Sequence, residues 1–198
     1  MDDIKHKIVE TAFDLFRQYG IRSVSIDDLC RSLGISKKTF YQYFPGKNEL
    51  VEAVLLHLEH CGLELMSSYT DKKSAIEWVR HLQMIHSNIE TVKDKPTFHY
   101  DLKKYYPQLY KKYVRNVYES IRHFLELHLR QGIKEGIYRK DLDVEMCAMM
   151  YSLIQYMFFQ EEKEMENIDV KRLMNFAVSS FFRSILSSKG TELLQNEF

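Results

Sequence analysis

Residues 25–49, which read SIDDLCRSLGISKKTFYQYFPGKNE, restrict the possible folds of this chain more than any other stretch. Apolar side chains recur at helical spacing on both sides of Gly34, which predicts two short amphipathic helices joined by a turn. Ser25 and Asp28 form a capping-box pattern at the start of the first helix, and Ser36 is a natural N-cap for the second. The stretch therefore predicts a helix-turn-helix.

The second of these helices has two chemically different sides. At about 100° per residue, Phe40 and Phe44 share one side, and we expect them to pack on the preceding helices. Lys38 and Gln42 lie roughly opposite, where Lys can donate to guanine and Gln can pair with adenine. Phosphate contacts are expected from hydroxyls, lysines and the start of the next helix. The predicted DNA-binding residues are Ser25, Ser36, Lys37, Lys38, Thr39, Tyr41, Gln42, Tyr43 and Lys47.

An ordinary solvated helix face is the alternative interpretation of this pattern. The charge distribution and the two tyrosines on the helix argue for DNA instead. The chain has 28 basic and 28 acidic residues, so it lacks the uniformly basic surface of a nucleic-acid packaging protein. Residues 22–48 nevertheless carry five basic and two acidic side chains, which is a local net charge of +3. A small basic region on a neutral chain is typical of a specific DNA binder.

The N-terminal stretch resembles the DNA-binding domain of the tetracycline-repressor (TetR) family of bacterial transcription regulators. The resemblance covers the first quarter to third of the chain. It rests on Phe16, Tyr19 and Gly20, on Ser25-Ile26, on Leu33-Gly34-Ile35-Ser36-Lys37, on Phe40-Tyr41-Gln42-Tyr43-Phe44, and on Lys47-Asn48-Glu49-Leu50.

The chain departs from the family pattern at three places. Val24 stands where Thr is frequent, which removes one phosphate donor. Leu29-Cys30 replaces the usual Ile-Ala with little change in packing. Lys38 stands where Gly or Ala is frequent, so a longer basic side chain points toward the groove and should shift the base preference.

The rest of the sequence is also predicted to be helical, because prolines occur only at 45, 96 and 107 and no run alternates as a strand does. Predicted helices cover 4–19, 47–69, 74–92, 107–131, 141–160 and 168–187, and 97–106 is a short aromatic segment. We expect an all-α fold: a three-helix helix-turn-helix DNA-binding domain over 1–46, a helical effector-binding and dimerisation domain over 47–188, and a flexible tail over 189–198.

Two C-terminal helices are too apolar to be covered by one chain. Residues 146–159 are apolar nearly all the way round, and the helix over 168–187 exceeds a single stripe. One side of each can face its own domain, and the other is expected to meet a second copy as a four-helix interface. A larger monomeric core is the alternative. The predicted homodimer contacts are Met150, Ile154, Phe158, Ala177, Phe181 and Ile185.

Aromatic residues are dense in the middle of the chain. Tyrosines offer a pocket both apolar walls and hydroxyls that orient a small molecule. Ordinary core and surface tyrosines are the alternative, and the family resemblance favours an effector site. The predicted pocket residues are Trp78, Phe98, Tyr105, Tyr106, Tyr110, Tyr113 and Tyr156.

Catalysis, cofactors and metals are not expected. The sequence has no Gly-rich phosphate loop, GxSxG elbow or HExxH motif. His57, Cys61 and Glu64 have a spacing that could bind a metal, but isolated surface side chains on a helix are the commoner case. Three unpaired cysteines, a polar N-terminus and apolar runs too short for a bilayer favour a cytoplasmic protein.

Three kinds of function fit the sequence. The first is a dimeric repressor that a small-molecule effector releases from its double-stranded DNA operator, as the resemblance implies. The second is a DNA-binding or interaction protein that needs no effector. The third is a helical enzyme with an attached DNA-binding domain, which the absence of catalytic motifs disfavours.

Overall fold

A computed structural model of the chain describes residues 3–70, 74–79, 97–160 and 169–195. Within these ranges the fold is all-α, and the β-structure consists of an isolated antiparallel bridge between Tyr138 and Leu186. Residues 75–79 are helical. The other helices are α1 (Asp3–Tyr19), α2 (Ile26–Leu33), α3 (Lys37–Tyr43), α4 (Lys47–Thr70), α5 (Thr97–Tyr105), α6 (Pro107–Lys134), α7 (Val144–Gln160), α8 (Val170–Ile185) and α9 (Ser188–Gln195).

The structure differs from the sequence prediction at the end of one helix and in the C-terminal tail. Helix α6 does not stop before Gly132, because this glycine serves close packing there: a Cβ atom would lie 2.2 Å from the ring of Tyr138. The predicted flexible tail is instead helix α9 as far as Gln195. The Ser187 hydroxyl accepts from the Gly190 amide at 3.1 Å, which caps this helix. Residues 80–92 of another predicted helix lie outside the described part.

The described residues divide into two compact units. Unit 1 lies within Met1–Gly62 and Val92–Tyr113, and unit 2 lies within Leu63–Thr91 and Val114–Phe198. The predicted domain boundary at 46–47 therefore falls inside unit 1, because the first turns of α4 bury Leu50, Val51 and Val54. Helix α5 also belongs to unit 1 and packs on α1.

Unit 2 is built around a core rich in aromatic side chains. His128 is only 4% exposed, and its Nε2 atom lies 2.7 Å from the Tyr138 hydroxyl. The Trp78 ring lies 4.0 Å from the His128 ring, measured between centroids. Burial lowers the pKa of His128 to about 3, so the imidazole is neutral at ordinary pH. Tyr151 and Phe182 complete the packing around Trp78.

The structure corrects part of the predicted dimer interface. Phe181 and Ile185 are buried in the core of their own unit, because the apolar surface of α8 is wider than one stripe and this side faces inward. Ile154 and Ala177 are half-buried, and Met150 is exposed. The side chain of Phe158 lies outside the described part.

Apolar side chains remain exposed on both of these helices. Met146, Met150 and Leu153 follow helical spacing on α7, and Leu173 and Phe176 do so on α8. Phe176 is 70% exposed, the largest value among the exposed apolar side chains described. We call these five residues the apolar stripe. None of the described helices combines the length and apolarity that a bilayer crossing requires.

Candidate nucleic-acid interface

Helix α2 begins with the capping box that its sequence predicts. The Ser25 hydroxyl accepts from the Asp28 amide at 3.1 Å, and the Asp28 carboxylate accepts from the Ser25 amide at 3.0 Å. These two bonds satisfy amides that a helix start would otherwise leave open. The Ser25 hydroxyl also donates to the Asp28 carboxylate at 2.6 Å. This bond, followed by the bond from the Ser25 amide, lowers the pKa of Asp28, so the carboxylate is charged and the cap persists at neutral pH.

The turn between α2 and α3 depends on one glycine and one serine. Gly34 has a φ of 65°, in the left-handed region that favours glycine, and ends α2. Ser36 then caps α3 by accepting from the Thr39 amide at 3.0 Å, and its hydroxyl lies 2.9 Å from that of Thr39. These local contacts set the direction in which α3 leaves the turn.

Two phenylalanines fix the rotation of α3 about its axis. Phe40 and Phe44 are buried, with ring centroids 5.8 Å apart. Lys38, Tyr41 and Gln42 are exposed on the other sides of the helix, and Tyr41 is 51% exposed. We call these three residues the outward face. Thr39 and Tyr43 flank it and are half-buried.

Lys37 is paired within the protein in this structure. Its Nζ atom lies 2.7 Å from a carboxylate oxygen of Asp27 on α2, and both side chains are exposed. The hydrogen bond to Asp27, followed by the charge of that carboxylate, raises the pKa of Lys37. A DNA phosphate would have to compete with Asp27 for this ammonium.

Lys47 has a position that the sequence did not predict. Its ammonium donates to the Val24 carbonyl and lies 5.9 Å from the centroid of the Phe16 ring. Burial lowers the pKa of Lys47, while the carboxylates of Asp101 and Asp28 act in the opposite direction. The side chain therefore fastens the loop before α2, a role that was not expected from its place at a helix start.

The predicted pocket residues are divided between the two units. In unit 1, Phe98 packs edge-to-face on Phe13 and Tyr110 is buried. The Tyr105 hydroxyl accepts from the Arg22 guanidinium at 2.7 Å. Tyr106 and Tyr113 are half-buried, and burial raises the pKa of Tyr113 to about 12.

The other two predicted pocket residues belong to unit 2. Trp78 lies in the aromatic core, and Tyr156 is exposed beside Tyr118, with ring centroids 6.2 Å apart. Protein contacts account for the positions of Trp78, Phe98 and Tyr105 without a ligand, so the pocket stays a prediction.

Asp101 is a residue that the sequence interpretation missed. The residue is 8% exposed, and its carboxylate accepts from the Arg22 backbone amide at 2.8 Å. A signal was present, because Asp101 falls between Phe98 and Leu102 on the apolar side of α5. A charged residue at such a position indicates a specific buried partner.

Of the possible metal ligands on α4, the structure brings Cys61 and His57 together. Cys61 Sγ is 3.6 Å from His57 Nε2, and the His57 ring is edge-on to that of His6 at 5.4 Å. Among the described residues, three or more His, Cys, Asp or Glu side chains nowhere gather as metal ligands would.

Comparison with known proteins gives a family match over the same helices. The family model described as bacterial regulatory proteins, tetR family, matches residues 8–54, from α1 into α4. This range contains the two capped helices, the outward face and Lys47. The match therefore covers the candidate interface and leaves all of unit 2 outside it.

Relatives of the chain include proteins named as transcription regulators. The uncharacterized HTH-type transcriptional regulator YuxN of Bacillus subtilis (strain 168) is 30% identical over 148 residues, which are 75% of this chain and 40% of YuxN. The HTH-type transcriptional regulator EthR of Mycobacterium tuberculosis (strain ATCC 25618 / H37Rv) is 46% identical over 57 residues, which are 29% of this chain and 24% of EthR. The chain thus spans less than half the length of either relative.

Solved structures resemble the chain over nearly its whole length. The reduced form of E. coli NemR aligns with a TM-score of 0.68 at 12% identity, covering 93% of this chain and 98% of NemR. At such low identity the likeness establishes the fold alone.

Proposed function

The chain belongs to the TetR family of bacterial regulatory proteins, and on this premise we propose that it is a dimeric transcriptional repressor that a small-molecule effector releases from its DNA operator. The proposal rests mainly on the outward face of α3. Lys38, Tyr41 and Gln42 are exposed on a helix whose start is set by a serine cap and whose rotation is set by two buried phenylalanines. Lys and Gln are side chains that read base edges in the major groove.

Base reading is tested by selecting duplexes from a random library with the purified protein. The enriched sequence and a scrambled duplex are then compared in a gel-shift assay at several salt concentrations. We expect Lys38→Ala and Gln42→Ala each to change the preference at one base pair by about 1–3 kcal/mol. Lys134→Ala removes an exposed lysine in unit 2 and serves as the matched control. A wild-type protein that enriches no sequence would refute the proposal.

Dimerisation is proposed to use the apolar stripe. Its five side chains remain exposed in a single chain, whereas such apolar surfaces are usually covered in the native assembly. A two-fold dimer would also place two copies of α3 about one helical turn apart on DNA. Sedimentation should give a dimer for the wild type and a monomer for Phe176→Ser. Leu127→Ser, at an exposed apolar residue of α6, is the control and should remain a dimer.

Effector release is proposed to act through α4. In this mechanism an effector tilts the helix Lys47–Thr70, and the two recognition helices lose their one-turn spacing. The effector needs an affinity difference of a few kcal/mol between the two conformations, about 5.5 kcal/mol for a complete switch. A small-molecule screen for release of the protein–DNA complex tests this, with spin-label distances between the two copies of α3 as the structural readout. An unchanged distance in the released dimer would contradict the mechanism.

A further inference from the structure

The loop between α1 and α2, residues 20–25, is held by two side chains from helices outside the helix-turn-helix. Asp101 on α5 accepts from the Arg22 amide at 2.8 Å. Lys47 at the start of α4 donates to the Val24 carbonyl. A carboxylate and an ammonium thus bind two backbone groups that lie two residues apart in one short loop.

The side chain of Arg22 strengthens the link to α5. Its guanidinium donates to the Tyr105 hydroxyl at 2.7 Å and lies over the Tyr105 ring, 5.1 Å from the ring centroid. Phe98, near the start of the same helix, packs on Phe13 of α1 at 6.2 Å between centroids. Helix α5 therefore contacts α1 near its start and the loop before α2 near its end.

Asp101 is unusual among the described residues because it is their one buried carboxylate. Burying a charged carboxylate is unfavourable unless hydrogen bonds compensate it. The neighbouring positions on the same side of α5 carry the buried apolar residues Phe98 and Leu102. An aspartate at this position supplies a charged acceptor for the Arg22 amide, which an apolar residue cannot do.

We propose that Asp101 is a positioning residue that sets the loop before α2 and makes α5, together with α4, an element that controls DNA reading. The Arg22 amide lies three residues before the Ser25 cap, so its bond to Asp101 fixes where α2 begins and hence how α3 is presented. A displacement of α5 that breaks this bond releases the loop and weakens operator binding. This inference rests on the proposed function, and it assigns a contact, in addition to that of Lys47 on α4, through which other helices act on the DNA-reading helices.

The test compares Asp101→Ala and Asp101→Asn with the full-length wild type. Deuterium exchange of the Arg22 amide reports the bond itself, and binding to the selected duplex and to a scrambled one reports DNA reading. We expect Asp101→Ala to lose protection at Arg22 and to bind the selected duplex about tenfold more weakly or worse, as for loss of a bond to a charged group. Binding to scrambled DNA should change by less than about twofold, because no phosphate contact is lost.

Asp101→Asn keeps the shape and an acceptor, and we expect it to recover part of both signals. Tyr105→Phe removes the bond to the Arg22 side chain and an interaction with Lys104 but keeps the Asp101 bond, so it should have a smaller effect than Asp101→Ala. Unchanged preference and unchanged Arg22 protection in Asp101→Ala would overturn the inference, as would an equal loss on both duplexes, which indicates general destabilisation. If Asp101→Ala fails to fold, Asp101→Asn tests the inference by the same two measurements, deuterium exchange at Arg22 and binding to the two duplexes. Failure of the proposed function has a separate signature, namely a wild type without any sequence preference.

Discussion

The two units present opposite kinds of surface. Unit 1 buries phenylalanines beneath α3 and exposes Lys38, Tyr41 and Gln42. Unit 2 buries polar His128 in an aromatic core and leaves the apolar stripe exposed. A polar, locally basic surface is suited to a polyanion, whereas an apolar surface is suited to another protein chain. The difference supports the proposal that DNA contact and chain association belong to separate units.

The largest expected effect is loss of the packing beneath α3. Phe40→Ala should destabilise unit 1 by about 3–5 kcal/mol, because the removed ring is fully buried. Urea unfolding followed by circular dichroism measures this loss. The native fluorescence of Trp78, the only tryptophan in the sequence, should be unchanged because it lies in unit 2.

Tyr41→Ala is the control on the same helix, because its side chain is half-exposed, and it should cost less than about 0.5 kcal/mol. If Phe40→Ala lost no more stability than Tyr41→Ala, burial of the Phe40 ring would not be what holds α3 in place.

The next effect concerns acid and unit 2. The pKa of His128 is about 3 in the folded protein, below its ordinary value of 6.5. Between these values the unfolded chain binds a proton that the folded chain does not. The contribution of His128 to the free energy of unfolding is therefore complete above pH 6.5 and decreases as the pH falls toward 3. We expect the contribution of this residue to the free energy of unfolding to drop by about 2 kcal/mol between pH 8 and pH 5.

The variant His128→Gln isolates this contribution, because Gln can still bond the Tyr138 hydroxyl but does not titrate. Urea unfolding of both proteins should show a shallower pH dependence for the variant. Identical pH dependence would mean that His128 is not buried in its neutral form.

A smaller effect tests whether Lys47 serves the loop, the DNA or both. Lys47→Met leaves the Val24 carbonyl without its donor and should cost about 1 kcal/mol of stability. We also expect the slope of log affinity against log salt to fall by about one, if one phosphate contact is lost. Lys134→Met is the control for both measurements. Lower stability with an unchanged slope would restrict Lys47 to holding the loop.

The smallest expected effect is at the pair between α2 and α3. Asp27→Asn frees the Lys37 ammonium and removes a negative charge beside the DNA-reading helix. Affinity for selected and scrambled duplexes should rise together by about twofold to fivefold, because an exposed ion pair is weak. Fluorescence anisotropy at low salt measures this change. A gain confined to the selected duplex would instead assign Lys37 to base reading.

The sequence predicted unit 1 well where the determinants are local. The caps at Ser25 and Ser36 and the buried side of α3 follow from residues three or four positions apart. The link between Asp101 and Arg22 joins residues 79 positions apart, and no periodicity reveals such a partner. Only the position of Asp101 on an apolar side hinted at it.

Unit 2 was harder to predict because its helices are apolar on several sides. Periodicity identified α8 but could not tell that Phe181 and Ile185 face inward while Phe176 faces outward. Gly132 was interpreted as a helix end, although it makes room for the Tyr138 ring. Both errors concern which neighbour a side chain meets, and tertiary packing decides that.

The arrangement of α3 has an evolutionary consequence. The determinants of its placement, Ser36, Phe40 and Phe44, are different residues from those of its outward face. Exchanges at exposed positions typically change stability by no more than about 0.5 kcal/mol. A duplicated gene could therefore acquire a new target site through one or two substitutions at Lys38 or Gln42, and a designer could retarget the protein by the same route.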